Sequence, residues 1–145
     1  MSDEAQSHRH DVGRYSIVVK AIVFRQEQPL LMKRSDYIAS KAGEWDIPGG
    51  VLHWNEDPVE GLKRETQEET GVLIDIGECF DCYYFGPVGH PNHIGLTFLA
   101  LYCNGELTLS AEHTHLGWYE VASPPVDMPD WIRGLVDRAA ALLPK

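Results

Sequence analysis

Eight charged residues fall within one short segment, from Gly50 to Val72, and five of them have a spacing suited to binding metals and phosphates. These five are Glu56, Arg64, Glu65, Glu68 and Glu69. In a helix, successive residues are rotated by about 100°, so Glu65, Glu68 and Glu69 would lie within about 100° of arc. The segment therefore predicts three carboxylates on one helix face.

Local signals predict a short helix from about Pro58 to Thr70. Asp57 can cap the helix, Glu60 completes a capping-box pattern, and Gly71 provides a stop. The carboxylates then lie near the negative end of the helix, where each is disfavoured by about 0.3–1 kcal/mol. A hard divalent cation such as Mg²⁺ or Mn²⁺ would neutralise them, because it takes oxygen ligands. For a generic glutamate cluster, a solvated acidic face is the alternative.

The spacing of the glycine and charged residues across the whole segment is more specific than the glutamate cluster alone. Gly50 is followed after five residues by Glu56, and seven further residues lead to the run from Arg64 to Val72. This pattern resembles the signature box of the Nudix hydrolases, with Thr66 where that family usually carries an aliphatic residue. The preceding Trp45-Asp46-Ile47-Pro48-Gly49-Gly50 is similar to the strand and glycine turn that enter the box. The resemblance covers most of the chain, from about residue 16 to residue 143.

The resemblance implies hydrolysis of a phosphoanhydride bond in a nucleoside diphosphate linked to another group. It implies Glu65, Glu68 and Glu69 as ligands of Mg²⁺ or Mn²⁺, with the Gly49 carbonyl as a backbone ligand. Arg64 would orient a box glutamate such as Glu65, because a guanidinium can bind a carboxylate through two N–H groups. An exposed helix arginine is the alternative for Arg64.

The base that activates water stays open among several residues. Glu65 is one candidate. Glu112 stands six residues before Trp118, which is similar to the spacing of an extra acidic metal ligand or base in MutT-type members. His113 is a further candidate, because the ordinary pKa of histidine lies near neutrality. However, His113 and His115 lie in a polar stretch, which favours two surface histidines.

Substrate recognition is less constrained by the sequence. Lys33 and Arg34 could contact phosphates, although two solvated cations at a strand end are equally ordinary. Asp127 resembles a base-recognition position of MutT-like members, while Asp130 could instead cap a helix. Pro87 lies near the place of a diagnostic proline in ADP-ribose hydrolysing members. We favour nucleoside triphosphates, including oxidised ones, over ADP-ribose and other nucleotide sugars, with a non-catalytic nucleotide-binding module as another alternative.

Two further patterns each allow two interpretations. Cys79 and Cys82 form a C-x-x-C pair, but a total of three cysteines argues against a disulfide framework, and no second pair completes a zinc site. We therefore favour ordinary strand cysteines over a redox protein. Four aromatic residues, Trp45, Tyr83, Tyr84 and Trp118, could stack on a nucleobase, yet aromatic residues in strands are more often part of the core.

Composition limits the partners. The chain has 145 residues, 43% of them hydrophobic, which suits one domain at residues 14–145 after a flexible tail at residues 1–13. Its net charge of −10 offers no basic stripe for nucleic acid and makes a metal necessary to admit phosphates. No apolar run is long enough for a membrane span, and the start lacks a signal-peptide core, so we expect a cytoplasmic protein. The expected partner is a small-molecule nucleotide, and a homodimer stays open.

The order of elements predicts the fold class. β-rich runs extend over Ser16–Phe24, Leu30–Lys33, Val72–Phe85, His93–Cys103 and Leu116–Val121, and a second helix follows from Pro129 through Leu142. On this helix Trp131, Leu135, Ala139 and Leu142 recur on one face. The mixture is α+β, and the resemblance implies the Nudix α/β/α sandwich, a mixed β-sheet between helices.

Overall fold

A computed structural model describes residues 13–35, 43–86 and 92–144 of the chain. The described residues form seven strands and two helices: β1 (Ser16–Arg25), β2 (Gln28–Arg34), β3 (Trp45–Asp46), β4 (Gly49–Val51), α1 (Pro58–Thr70), β5 (Leu73–Phe85), β6 (His93–Asn104), β7 (His113–Trp118) and α2 (Asp130–Ala141). The predicted tail, except residue 13, and the Pro87 position lie outside the described residues. Within the described ranges, no helix is long and apolar enough to cross a bilayer.

Strand β1 forms the centre of the sheet, because both of its faces are apolar. Val19, Ala21 and Val23 pack in the cluster that contains Leu62 of α1. The alternate residues Ile22 and Phe24 pack in the cluster that contains the buried face of α2. Since successive side chains of a strand point to opposite faces, the sheet lies between the two helices. The predicted α+β sandwich with a mixed sheet is confirmed.

The strand pairing of β1 differs along its length. β1 pairs in parallel with β6 from Ser16–His93 to Phe24–Leu101, and β6 pairs with β5 in antiparallel orientation. On its other edge, β1 pairs first with β4, where Lys20 lies opposite Gly49, and then with β2 at its C-terminal end. β2 also pairs with β3 and β7. The pairing of β4 with β1 thus places the turn at Gly49 beside the middle of β1.

Helix α1 has the predicted bounds because its ends are determined locally. The Asp57 carboxylate accepts from the N–H groups of Val59 and Glu60 at 3.0 and 3.1 Å. At the other end, Gly71 adopts a left-handed conformation with φ 80°, and its N–H donates to the Gln67 carbonyl. Because the helix ends at Thr70, the glutamates Glu65, Glu68 and Glu69 lie in its last two turns.

Three sequence-based expectations need correction. The last strand covers His113–Trp118 rather than Leu116–Val121, because its pairing with β2 begins at Arg34. Trp131 of α2 and Leu142, which caps the end of this helix, are exposed, contrary to the expected apolar face. The buried face instead consists of Ile132, Leu135, Val136 and Ala139. Pro129 occupies the N-cap, so Asp130 lies in the first turn and is not the cap residue.

Candidate active site

A glycine turn brings strand β4 against the acidic end of α1. The Gly49 N–H donates to Glu69 Oε1 at 2.8 Å. A Cβ atom on Gly50 would lie 2.8 Å from the carboxylate carbon of Glu65, so the absence of a side chain makes room for that carboxylate. Gly49 has φ 141°, and a Cβ there would collide with the Val19 carbonyl. The turn therefore depends on glycine at both positions and collects two of the three predicted glutamates.

Arg64 binds Glu56 with two N–H groups, whereas the sequence-based interpretation gave this role to Glu65. Arg64 Nε donates to Glu56 Oε2 at 2.6 Å, and Nη2 donates to Oε1 at 2.9 Å. These hydrogen bonds, together with the His53 N–H, lower the pKa of Glu56 to about 2. The remaining Nη1 lies 3.1 Å from both Glu65 and Glu68. Arg64 thus connects the loop before α1 with two box glutamates.

Glu69 is the most enclosed member of the acidic cluster, with its side chain 14% exposed. Burial raises the pKa of Glu69 to about 7, and the negative charges of Glu65 and Asp46 act in the same direction. The Gly49 N–H and the Lys20 ammonium oppose this rise. The Gly49 N–H and the Lys20 charge therefore offset only part of the cost of burying a negatively charged Glu69.

His113 is buried, so the expectation of a surface histidine is wrong for this residue. It is 4% exposed, and its Nε2 lies 4.0 Å from Glu69 Oε2. Its Nδ1 lies 3.1 Å from Ser110 Oγ, while Nε2 has no hydrogen-bond partner among the described residues. Burial lowers the pKa of His113, with the Arg34 charge acting in the same direction. The neutral ring can then present Nε2 toward the acidic cluster.

The neighbours of His113 face the surface. Glu112 is exposed in the turn before β7, and its N–H donates to Ser110 Oγ at 3.3 Å. Its role as an extra metal ligand or base stays a prediction. His115 is exposed as expected, with its ring centroid 5.8 Å from that of Trp45.

Lys20 and Asp46, which were not singled out from the sequence, form an ion pair beside the turn, with Asp46 buried and Lys20 half-buried. Lys20 Nζ lies 3.2 Å from both carboxylate oxygens of Asp46 and donates to the Ile47 carbonyl at the same distance. Arg34, expected to contact phosphate, places Nη1 3.6 Å from Asp46 Oδ2. The sequence did contain a signal for Lys20, because it is the single lysine within the apolar run of β1 and falls on the same face of the strand as Ile22.

The other predicted substrate contacts form a separate cluster. Lys33 Nζ donates to Asp127 Oδ2 at 2.9 Å, and Trp45 Nε1 donates to Oδ1 at 2.7 Å. These hydrogen bonds lower the pKa of Asp127. The structure therefore joins Lys33 to Asp127, whereas Arg34 contacts Asp46. Their contacts with substrate stay predictions.

An open cleft of about 460 Å³ adjoins the glycine turn. Lys20 and Ile47 line it at the end near the turn, and α2 contributes Trp131. Asp81, Tyr83 and Thr97 line its floor on β5 and β6. Lys20, which lies opposite Gly49 in the pairing of β1 with β4, therefore connects the turn with this cleft.

The donor set suits a hard cation, although the side chains do not form a ready-made cage. Over residues 13–35, 43–86 and 92–144, no three His, Cys, Asp or Glu side chains converge closely enough to hold a metal ion. Glu68 contacts Arg64, and its side chain is 60% exposed. Glu65 and Glu69 nevertheless converge at the turn, and the buried Glu69 carboxylate lacks full compensation. Oxygen ligands and uncompensated negative charge fit Mg²⁺ or Mn²⁺.

Comparisons with known proteins agree with this arrangement. The family model for the NUDIX domain matches residues 14–139. A MutT-like protein of Streptomyces ambofaciens is 32% identical over 105 residues, which cover 72% of this chain and 63% of that protein. The NAD-capped RNA hydrolase NudC of Haemophilus influenzae (strain PittEE) is 27% identical over 121 residues, covering 79% of this chain and 44% of that protein. The chain thus spans less than two thirds of the length of either relative.

A solved structure of another protein has the same fold, with a sequence identity to this chain similar to that of the relatives above. The MutT protein from Methanosarcina mazei Go1 superposes with a TM-score of 0.72 and 27% sequence identity. The alignment covers 90% of this chain and 96% of that one. The two chains therefore correspond over nearly their whole lengths.

Proposed function

The chain belongs to the Nudix hydrolase family, and we propose that it hydrolyses a phosphoanhydride bond of a nucleoside diphosphate linked to another group. The observation that carries the proposal is the convergence of Glu65 and Glu69 at the turn formed by Gly49 and Gly50. Nucleoside triphosphates, including oxidised ones, are the favoured substrates. The proposed site of reaction is this turn.

The proposed cofactor is Mg²⁺ or Mn²⁺, since Nudix hydrolases generally use divalent metals. Glu65, Glu68 and Glu69 would hold the ion, with the Gly49 carbonyl and Glu112 as further ligands. When bound, the cation neutralises charge on the phosphate oxygens and lowers the pKa of a bound water. The buried Glu69 carboxylate, whose pKa is raised to about 7, supports the need for an added positive charge.

The residues of the chain have distinct proposed roles. Arg64 is a positioning residue, because it is held by Glu56 and presents its third nitrogen to Glu65 and Glu68. Glu65 lies against the turn and would accept the proton of the attacking water. His113 would keep Glu69 in place from the opposite side, since its Nε2 faces that carboxylate at 4.0 Å.

The cleft would hold the group that is attached to the phosphates. Lys20 lies at the junction between the turn and the cleft, so its positive charge is close to where a diphosphate would pass. Lys33, Arg34 and Asp127 are retained as substrate-binding candidates. Of these, Arg34 contacts Asp46, which lies three residues before Gly49 in the sequence.

A nucleotide linked to a sugar or a second nucleotide is the alternative substrate class. It is supported by the NudC relative, which is named an NAD-capped RNA hydrolase and aligns over 79% of this chain. A Nudix module that only binds nucleotides is a further alternative. It does not require Glu65 and Glu69 to converge at the glycine turn, which makes it the weaker candidate.

The test is release of phosphate or pyrophosphate from nucleoside triphosphates, oxidised nucleotides, ADP-ribose, other nucleotide sugars and dinucleoside polyphosphates. Each substrate is assayed with Mg²⁺, with Mn²⁺ and with chelator. We expect metal-dependent turnover of one class and a loss of at least about 100-fold in Glu65→Gln. Glu78→Gln is the matched control, because Glu78 is exposed on β5. Turnover that persists in chelator or in Glu65→Gln would refute the proposed chemistry, and a folded protein that binds nucleotide without turnover would support the binding module.

The proposal includes a cytoplasmic location and a small-molecule nucleotide as the partner. The expectation of the location rests on the composition of the chain and on the cellular supply of nucleotides. A homodimer is an open assembly state. Sedimentation of the purified protein, with and without nucleotide, measures that state directly.

A further inference from the structure

One row of side chains crosses the sheet from the glycine turn to the far edge of the cleft. The strand registers pair Gly49 with Lys20, Lys20 with Thr97, and Thr97 with Asp81. Residues directly opposite on antiparallel strands, as Thr97 and Asp81 are, have Cβ atoms about 4.5–5.5 Å apart. Lys20, Thr97 and Asp81 all line the cleft, so the row forms a polar strip along its floor.

Thr97 is the unusual member of this strip. It is fully buried, and its Oγ1 has no hydrogen-bond partner in the described part of the chain. A buried hydroxyl without a partner is unfavourable, so such groups are rare in folded proteins. Since Thr97 also lines the cleft, a ligand placed there can supply the missing hydrogen bond.

Asp81 is held in a defined orientation next to Thr97. Arg138 of α2 donates to Asp81 Oδ1 at 2.8 Å and to the Phe80 carbonyl at 2.7 Å. An ionised carboxylate accepts hydrogen bonds at about four sites and donates none. Asp81 therefore has capacity left for an N–H donor of a ligand in the cleft.

Aromatic rings continue the floor beyond this polar strip. The Tyr83 ring lies over Gly95 of β6, at the place where any other residue would carry a Cβ. Phe85 stacks on Tyr83 with ring centroids 5.6 Å apart and an angle of 22° between the planes. Trp131 lines the cleft from α2 and is 46% exposed. The aromatic floor is suited to a flat ring, because aromatic faces stack favourably.

We propose that Asp81 and Thr97 recognise an amino-bearing nucleobase, with Asp81 accepting from the exocyclic amine and the Thr97 hydroxyl donating to the adjacent ring nitrogen. This inference rests on the proposed function, because the phosphates of the same ligand would lie at the Gly49 turn. It assigns base selection to β5 and β6, apart from the acidic helix.

The test uses pairs of nucleotides that differ by a single amine. ADP is compared with purine riboside diphosphate, and GDP with IDP, by calorimetry in Ca²⁺ so that no hydrolysis is needed. We expect the amine-bearing member of at least one pair to bind about tenfold tighter or better. Thr97→Val and Asp81→Asn should each reduce this preference to below about threefold. Asp75→Asn should keep it, since Asp75 lies on the same strand and is exposed.

Equal binding within both pairs would overturn the inference without depending on how any variant folds. A preference that survives unchanged in folded Thr97→Val and Asp81→Asn would also overturn it. The hydrolysis assay reports separately on the proposed function. Metal-dependent turnover without a preference for the amine contradicts only this inference, whereas a preference without turnover contradicts only the hydrolase.

Discussion

Glu69 Oε2 lies 4.0 Å from His113 Nε2, so the end of α1 meets the start of β7 inside the protein. Both groups are shielded from solvent, and burial changes their pKa values in opposite directions. The pKa of Glu69 rises to about 7, and the pKa of His113 falls. Near neutral pH, the contact therefore involves a carboxyl group close to its titration point and a largely neutral ring.

The first prediction concerns pH and metal. The pKa of Glu69 is raised from 4.5 to about 7, so its contribution to stability is full below pH 4.5 and is lost as the pH rises through 7. The loss is on the order of 3 kcal/mol. In metal-free protein at pH 8, Glu69→Gln should therefore unfold at a higher temperature than the wild type, by roughly 6–10 °C. At pH 4.5 the two should unfold at similar temperatures.

Adding Mg²⁺ provides the complementary measurement. It should raise the unfolding temperature of the wild type more at pH 8 than at pH 5.5, because protons compete with the cation for Glu69. Glu69→Gln should lose most of this effect, and the exposed control Glu78→Gln should retain it. If Mg²⁺ raised the unfolding temperature equally in the wild type, Glu69→Gln and Glu78→Gln, Glu69 would not be a metal ligand.

The second prediction concerns the bidentate contact between Arg64 and Glu56. Arg64→Lys keeps the positive charge but cannot donate through two parallel N–H groups, so Glu65 and Glu68 lose their fixed neighbour. We expect kcat to fall by about 10–100-fold, with a smaller change in KM. Steady-state kinetics would show this, with Arg133→Lys on the exposed side of α2 as the control. An unchanged kcat would indicate that Arg64 only stabilises the fold.

The third prediction concerns the space left by Gly50. A Cβ there would lie 2.8 Å from the Glu65 carboxylate carbon, so Gly50→Ala should displace the carboxylate. We expect a loss of about 100-fold in kcat, since a displacement of about 1 Å can have that effect. Gly134→Ala is the control, because nothing lies within 4 Å of a Cβ at that helix position. This control should keep its activity and gain about 0.5–1 kcal/mol of stability.

The fourth prediction concerns His113 as a positioning residue. Replacing it with Gln removes the ring beside Glu69, so we expect the Mg²⁺ concentration for half-maximal activity to rise about 10–100-fold. KM for the nucleotide should change little at saturating Mg²⁺. His115→Gln serves as the control because His115 is exposed. If His113 is instead the base, the activity of His113→Gln would stay low at every Mg²⁺ concentration.

The fifth prediction concerns Glu112, which is exposed one residue before His113. As an additional ligand, it should affect metal affinity and leave the maximal rate nearly intact. We expect Glu112→Gln to require more Mg²⁺ and to recover at least half of the wild-type kcat at saturation. Failure to recover would favour Glu112 as the base, and an unchanged Mg²⁺ requirement would remove it from the site.

Helix α1 could be predicted to the residue, because the groups that end it are neighbours in sequence. Asp57 satisfies N–H groups of the first turn, and Gly71 supplies the left-handed conformation of the last. Each of these effects needs only a few consecutive residues. The ends of strands are less local, which explains why β7 begins three residues before its expected start at Leu116.

The support around the acidic cluster could not be predicted in the same way. His113 is buried because β7 pairs with β2, and Lys20 reaches Asp46 because β4 pairs with β1. Such contacts join distant parts of the sequence, and a local pattern such as the lone lysine in β1 marks an unusual position without identifying its partner. A polar stretch around His113 therefore suggested the surface, although the sheet places this residue inside.

The parallel pairing of β1 with β6 has a consequence for the order of folding. Parallel strands cannot form a simple hairpin, and here β2 to β5 and α1 lie between the two partners in sequence. Helix α1, with its own caps, can form from local contacts, whereas closing so long a loop is entropically slow. We therefore expect nascent chains that end before β6 to show helical structure in α1 while β1 still lacks its longest strand partner.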